Sequence, residues 1–191
     1  MKFWKPLLFT TLLASLSGCH LSPENVPLTP DVSSSSSQVG HGAPIAVVVF
    51  NAVPSEQIGT RASKYTPDQA ITVSQDLQHQ VQAITYNTLK KHGFSPVESG
   101  ASRHLLIRIT QLEYTFTDPD SLGAKIHIKC SISVKANAED QTLQRTYHTK
   151  MDFKVLTTPS KSDDNKNINQ VVSATISQMV NDQQLIQLLS Q

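Results

Sequence analysis

Residues 124–136 read AKIHIKCSISVKA, with an apolar side chain at every even position and a polar one at every odd position. Only an extended strand places Ala124, Ile126, Ile128, Cys130, Ile132, Val134 and Ala136 on one face and Lys125, His127, Lys129, Ser131, Ser133 and Lys135 on the other. Asn137 to Asp140 reads as a turn, and Leu143 to Val155 alternates again through Tyr147, Met151, Phe153 and Val155. The two runs predict an antiparallel hairpin with one wet face. Pairing Asn137 with Asp140 sets Cys130 opposite Tyr147, Ile126 opposite Met151 and Ala124 opposite Phe153. The polar face then pairs Lys125 with Asp152 and Lys129 with His148. A slip of one residue would mix the two faces, so parity is strongly specified. Arg145, opposite Ile132 on the apolar side, is an exception expected near a sheet end.

A strand with one apolar face needs a second layer to cover it. Leu77, Val81, Ile84 and Thr88 recur at helical spacing, in a helix expected from a cap at Thr72 or Ser74 to His92 and ended by Gly93. Its last turn, Lys90, Lys91 and His92, suits the negative end of the helix dipole. Beyond a polar loop at Lys161 to Lys166, the residues Ile168, Val171, Val172, Thr175, Ile176, Met179 and Val180 form a second apolar stripe. Asp182 is expected to cap a last turn holding Leu185, Ile186, Leu188 and Leu189. IAVVVF, Ile45 to Phe50, reads as a strand covered on both sides, and Asn51 to Tyr65 as an irregular or edge segment. Pro96 places the short Phe94 to Val97 stretch at an edge, where a partner strand could add. His104 to Phe116 is a strand of mixed patterning. The expected class is α+β: a two-layer sandwich of a mainly antiparallel sheet, about four or more strands, with two amphipathic helices on one face.

The N-terminus obeys different rules. Lys2 and Lys5 precede the apolar run Leu7 to Leu16, a secretory-leader pattern too short for the ~20 residues a membrane-spanning helix needs. Leu16, Ser17, Gly18 and Cys19 resemble the bacterial lipobox, in which the cysteine sulfur takes a diacylglycerol and becomes the acylated first residue. An ordinary signal peptide with a chance cysteine, or a retained anchor, are the alternatives. His20 rather than Asp after the cysteine suggests the outer membrane. From residue 19 to 43 the run of Ser33 to Ser37 with Pro23, Pro27 and Pro30 reads as a flexible tether, ~25–30 Å as a coil. The expected organisation is a signal peptide at 1–18, acylated cysteine and tether at 19–43, and one periplasmic domain at 44–191.

Composition narrows the function. Without Lys2 and Lys5, 14 basic residues face 15 acidic ones, net −1, which lacks the basic footprint of a nucleic-acid binder. The chain contains no Gly-rich phosphate loop, His-Glu-x-x-His, Cys-x-x-Cys or Gly-x-Ser-x-Gly pattern, and no cofactor, metal or catalytic residue is assigned. Cys130, on the apolar face, reads as an inert buried thiol. Lys125, His127, Lys129 and His148 form a possible ligand or partner face. His127 and His148, as diagonal neighbours, could share a metal with Asp152 or an anion with Lys129 and Lys150, against the plainer reading of a solvated face. Asp118, Asp120, Asp163 and Asp164 read as turn and helix-start residues.

The leader, VVVFNAVP, SQDLQHQVQAITYNTLKKHGF, the three-strand meander and NINQVVSATISQMVNDQQLIQLL together resemble YajG-type bacterial lipoproteins, from about Ala46 to Leu189. Arg61 stands where that family carries an arginine. The resemblance implies an α/β envelope lipoprotein of unknown biochemical function, with no catalytic residues to carry over. Three functions remain open: a non-enzymatic accessory lipoprotein serving envelope assembly or a transport or secretion machine, a small-ligand or glycan-binding module on the exposed sheet face, and a hydrolase with an unrecognised site.

Overall fold

A computed structural model describes residues 22–63, 66–73, 76–117 and 123–191. The leader, the cleavage residues Leu16, Ser17 and Gly18, Cys19, the alternative cap Ser74, and Asp118 and Asp120 lie outside those residues. In chain order the elements are β1 (Glu24–Val26), β2 (Pro44–Asn51), β3 (Gln57–Ser63), β4 (Thr66–Val73), α1 (Leu77–Lys91), β5 (Ser95–Val97), β6 (Arg103–Thr117), β7 (Ala124–Ala138), β8 (Gln141–Val155), α2 (Lys161–Val180) and α3 (Gln183–Leu189).

The sheet is organised around β6. One of its edges takes β7 along its whole length, and β8 follows β7. The other edge is divided: β2 runs parallel to the first half, from Ile45 opposite Arg103 to Asn51 opposite Ile109, and β3 runs parallel to the second, with Gly59 opposite Tyr114. Glycine is required at that crossing, since a Cβ on Gly59 would lie 1.9 Å from the Tyr114 carbonyl oxygen. A bulge between Ile109 and Gln111 explains the mixed pattern of β6. Leu105, Ile107 and Ile109 are buried before it, and Leu112, Tyr114 and Phe116 after it, so the apolar phase changes once. On the divided edge β4 and β1 extend the sheet beyond β3, and β5 extends it beyond β2, giving eight strands. The expected α+β sandwich holds, with a larger and more mixed sheet.

The β7–β8 hairpin has the expected faces and a register displaced by two residues. Ala138 pairs with Gln141, Ile132 with Tyr147, Ile128 with Met151 and Ile126 with Phe153. A two-residue displacement keeps every side chain on its own face, so alternation alone cannot detect it. Arg145 lies opposite Val134 and is bound by α3's cap rather than sitting at a frayed end: it donates to Asp182 and Gln184, each at 2.5 Å.

The inner face of the sheet, from Ile45 and Val47 to Ile128 and Ile132, is covered by Leu77, Val81 and Leu89 of α1, by Ile168, Val171, Val172, Ile176 and Met179 of α2, and by Leu185, Leu188 and Leu189 of α3. The α1 helix starts after Asp76, later than expected, because residues 66–73 form β4. Gly93, with φ +83°, follows its C-terminus as expected. The α2 helix starts earlier than expected. Ser160 and Asp163 form a reciprocal capping box, so the stretch assigned to a polar loop is the first turn of α2. Asp182 caps α3 by accepting from the Gln184 and Leu185 amides. IAVVVF is covered on both faces only at its start, where Ile45, Ala46 and Val47 are buried; further on Val49 is buried while Val48 and Phe50 are exposed on the other face.

The segment expected to be a tether is part of the fold wherever the structure describes it. Glu24 to Val26 pairs parallel with Ile71 to Val73, and Val26 and Leu28 are fully buried. Beyond Leu28 the chain runs along α2 as a strap. The Thr29 amide donates to Asn169, the Asp31 amide to Ser173 and the Ser35 amide to Asn181. Asn169 and Asn181 donate in turn to the Pro27 and Ser33 carbonyls. Ser and Pro cannot supply a core, but here the partner groups come from α2 and its C-cap, at multiples of four residues on one helix face.

Candidate functional site on the open face of the sheet

Where β1 meets the first turn of α2 lies a buried ionic centre. Arg61 of β3, 8% exposed, donates to Glu24 of β1 at 2.8 Å, to Gln69 of β4 at 2.5 Å and to Asp164 of α2. Asp164 is fully buried and also accepts from the Tyr114 hydroxyl at 2.8 Å. Burial raises the Asp164 carboxyl above its ordinary value, against the opposing pull of the Tyr114 hydrogen bond and Arg61. Burial, with Asp164 beside it, raises the Tyr114 phenol as well. One cation thus joins four elements. A forked guanidinium can do this and an ammonium cannot, because its donors diverge in a fixed plane. This centre is closed to solvent and holds the N-terminal strand to the domain.

The open face lies on the far side of the sheet from the helices. Lys125, His127, Lys129 and His148 all project from it, as alternation requires, but they do not form one cluster. His127 Nδ1 contacts Asp152 at 2.7 Å, and Lys129 pairs with Glu113 at 3.3 Å. His148 faces Ser131, whose hydroxyl donates to Gln111 at 2.9 Å. His127 and His148 are four residues apart along β7 and not diagonal neighbours, the direct result of the two-residue displacement. Among the described residues, no group of three or more His, Cys, Asp or Glu side chains is placed to hold a metal ion.

The other half of the same face is less self-satisfied. Two cross-strand rows run Val48, Leu106, Lys135, Gln144 and Phe50, Arg108, Ser133, Thr146. They frame a hollow of about 310 Å³ lined by Leu106, Arg108, Ser133, Lys135 and Gln144. Phe50 is 48% and Val48 40% exposed at its margin. Neither Arg108 nor Lys135 has a carboxylate partner among the described residues. An apolar rim beside two unpaired cations fits a chain segment carrying acidic and apolar side chains. Val48 and Phe50 are the exposed positions of IAVVVF, but a continuous apolar run covered on one face cannot be told from a two-sided buried strand by pattern alone.

A second hollow of about 360 Å³ lies between the strap, the end of α1 and α3, lined by Ser37, Val39, His92, Asn181 and Ile186 among others. His92 Nδ1 contacts Ser37 Oγ at 2.7 Å, while Nε2 is buried without a partner. Burial lowers the His92 pKa, so the ring is held neutral. Cys130 is buried against Thr175, and its thiol is pushed up to about 11, mainly by burial. A thiol so placed is a poor nucleophile.

Residues 30–190 match the model of a family described as an uncharacterized lipoprotein. The chain belongs to that lipoprotein family. No curated protein matches this lipoprotein by sequence. Protein XCC0632 from Xanthomonas campestris is similar in structure, 11% identical, covering 85% of this chain and 94% of its own with a TM-score of 0.52. A minor lipoprotein from Acinetobacter baumannii is 9% identical and covers 77% and 90%, TM-score 0.41. Lipoprotein GNA1162 from Neisseria meningitidis is 14% identical and covers 72% and 97%, TM-score 0.35. At these identities the first likeness concerns the fold. The family's description names no reaction.

Proposed function

We propose that this lipoprotein is a non-enzymatic accessory protein of the bacterial outer membrane, anchored at the periplasmic face through acylated Cys19 and acting by binding a protein partner in envelope assembly or a transport or secretion machine. The hollow beside Arg108 and Lys135 carries the binding part of this reading: it is open, part apolar, and holds two cations with no carboxylate partner among the described residues. The leader pattern and the His20 position support the location, and the YajG-type likeness fits the same role. A small-ligand or glycan site built on Lys125, His127, Lys129 and His148 has less support, since Asp152 and Glu113 already engage two of the four.

Two measurements test the proposal. Cys19→Ser should move the protein from the membrane fraction to the soluble periplasmic fraction. A variant still membrane-bound after a high-salt wash refutes the anchor. A photo-crosslinking residue at Phe50 should give a discrete protein adduct in intact cells, lost when Arg108 is changed to Glu. Absence of any adduct, or one indifferent to Arg108, refutes the proposed face.

A further inference from the structure

Cys19 and Ser22 are three residue steps apart, which limits the chain between them to about 10 Å fully drawn out. Ser22 is not itself free: its carbonyl accepts from Gln69 Nε2. Two residues later the Arg61 centre locks Glu24 to β3 and α2. If Cys19 carries the lipid, as proposed above, the domain cannot float on a long tether, and the part of its surface around Ser22 must lie against the bilayer.

The same bridge identifies that surface. Arg61 binds Glu24 and Asp164 together, so the first turn of α2, beginning at Lys161, sits beside the start of β1. The segment entering α2 comes from the end of β8 and carries Leu156, whose side chain is 97% exposed. A lone exposed leucine is ordinary on a protein surface; its position at the anchored end gives it weight. Next to it, exposed Lys154 and Lys125 stand directly opposite each other across the β7–β8 ladder. Like charges in that arrangement repel, and nearby Asp152 is already taken by His127. An anionic headgroup layer would relieve the repulsion, and Lys161 adds a third ammonium at the same end.

We infer that the end of the domain bearing Lys125, Lys154, Leu156 and Lys161 rests on the phospholipid surface that holds the acyl chains, with the short Cys19–Ser22 leash fixing this orientation. Leu156 enters the headgroup boundary, the lysines meet phosphate, and the β7–β8 turn at Glu139 and Asp140 points into the periplasm. The Arg108 and Lys135 hollow, toward that far end of β7, is thereby presented to partners rather than to lipid.

The experiment uses the full acylated protein in vesicles of phosphatidylethanolamine with a fifth phosphatidylglycerol, some lipids carrying a headgroup spin label. Flotation establishes anchoring; amide signals are then compared with and without the label. The expected result is strong attenuation at residues 154–161 and at Lys125, with residues 135–142 unaffected. Lengthening the leash by twenty Gly/Ser residues after Cys19 should abolish the attenuation while flotation persists. Flotation with uniform attenuation, or with attenuation at 135–142, overturns the orientation and leaves the anchor standing, and attenuation at 154–161 that survives the long leash overturns the leash as what fixes it. Failure to float overturns the anchor and the orientation with it.

Discussion

Glu24 and Asp164 stand 140 residues apart in the chain and meet on one guanidinium, that of Arg61. Both carboxylates are buried, and the first helical turn of α2 is thereby fastened to the first strand of the domain. Removing the cation leaves two uncompensated charges out of water, which is costlier than losing the whole cluster. Arg61→Ala should destabilise the protein by about 3–5 kcal/mol, read as a lowered urea midpoint. Arg61→Lys should recover only part of that, because one ammonium cannot reproduce the fork. A midpoint unchanged in Arg61→Ala would show that the centre contributes little.

Backbone amides along the strap have fixed partners. Hydrogen exchange at Thr29, Asp31, Ser35 and Ser37 should be slowed well beyond that of an open chain, since each donates to α2 or to the end of α1. Asn169→Ala should selectively deprotect Thr29, at a stability cost of about 1 kcal/mol. Exchange at random-coil rates from 29 to 37 would return this segment to a tether.

Acid should weaken the α3 junction. Burial alone would raise the Asp182 carboxyl, but hydrogen bonds from Tyr147, Arg145 and the Leu185 and Gln184 amides together hold it below its ordinary value. The folded protein therefore binds this proton less readily than the unfolded chain, so the stabilisation is complete above the ordinary carboxylate range near pH ~4 and disappears as pH falls through the depressed value. Thermal melts of the parent and Asp182→Asn should differ at pH 7 and converge as pH falls below the ordinary carboxylate range. A gap that stays constant with pH would show that Asp182 acts through shape rather than charge.

Cys130 should be unreactive in the folded state. Its thiol is 1% exposed and raised by burial, so alkylation by iodoacetamide at pH 8 should proceed only as fast as the domain opens, and become rapid in urea. Fast native modification would place this strand outside the core.

The parts legible in the sequence were those governed by local periodicity. Ala124 to Ala136 declared its face, and Asp182 and Gly93 declared helix ends, because those signals need only neighbouring residues. Register is set by the turn, and Glu139 at φ +50° gives no sequence warning of the kind an Asn-Gly pair does, so the pairing was displaced by two. The β3–β4 hairpin was hidden by its polar composition and two irregular registers. For the strap, the decisive signal sat elsewhere: Asn165, Asn169, Ser173 and Asn181 are poor helix formers, repeated at four-residue multiples on a helix that has another apolar face. Such a polar ladder marks a second surface to be covered, yet nothing local to Thr29 reveals what covers it. Glu24 and Arg61 show the same limit, since a buried charge is recognisable only once its partner is known.

The joint made by Arg61 also sets an order of events. Glu24 can be fully clamped only after Asp164 has been synthesised, so the first strand of the domain is necessarily among the last pieces to be secured. Until then Glu24 and Arg61 can meet, but without the helix that completes their joint. Once α2 arrives with Asp164, the joint closes, and the strand made first becomes a bolt.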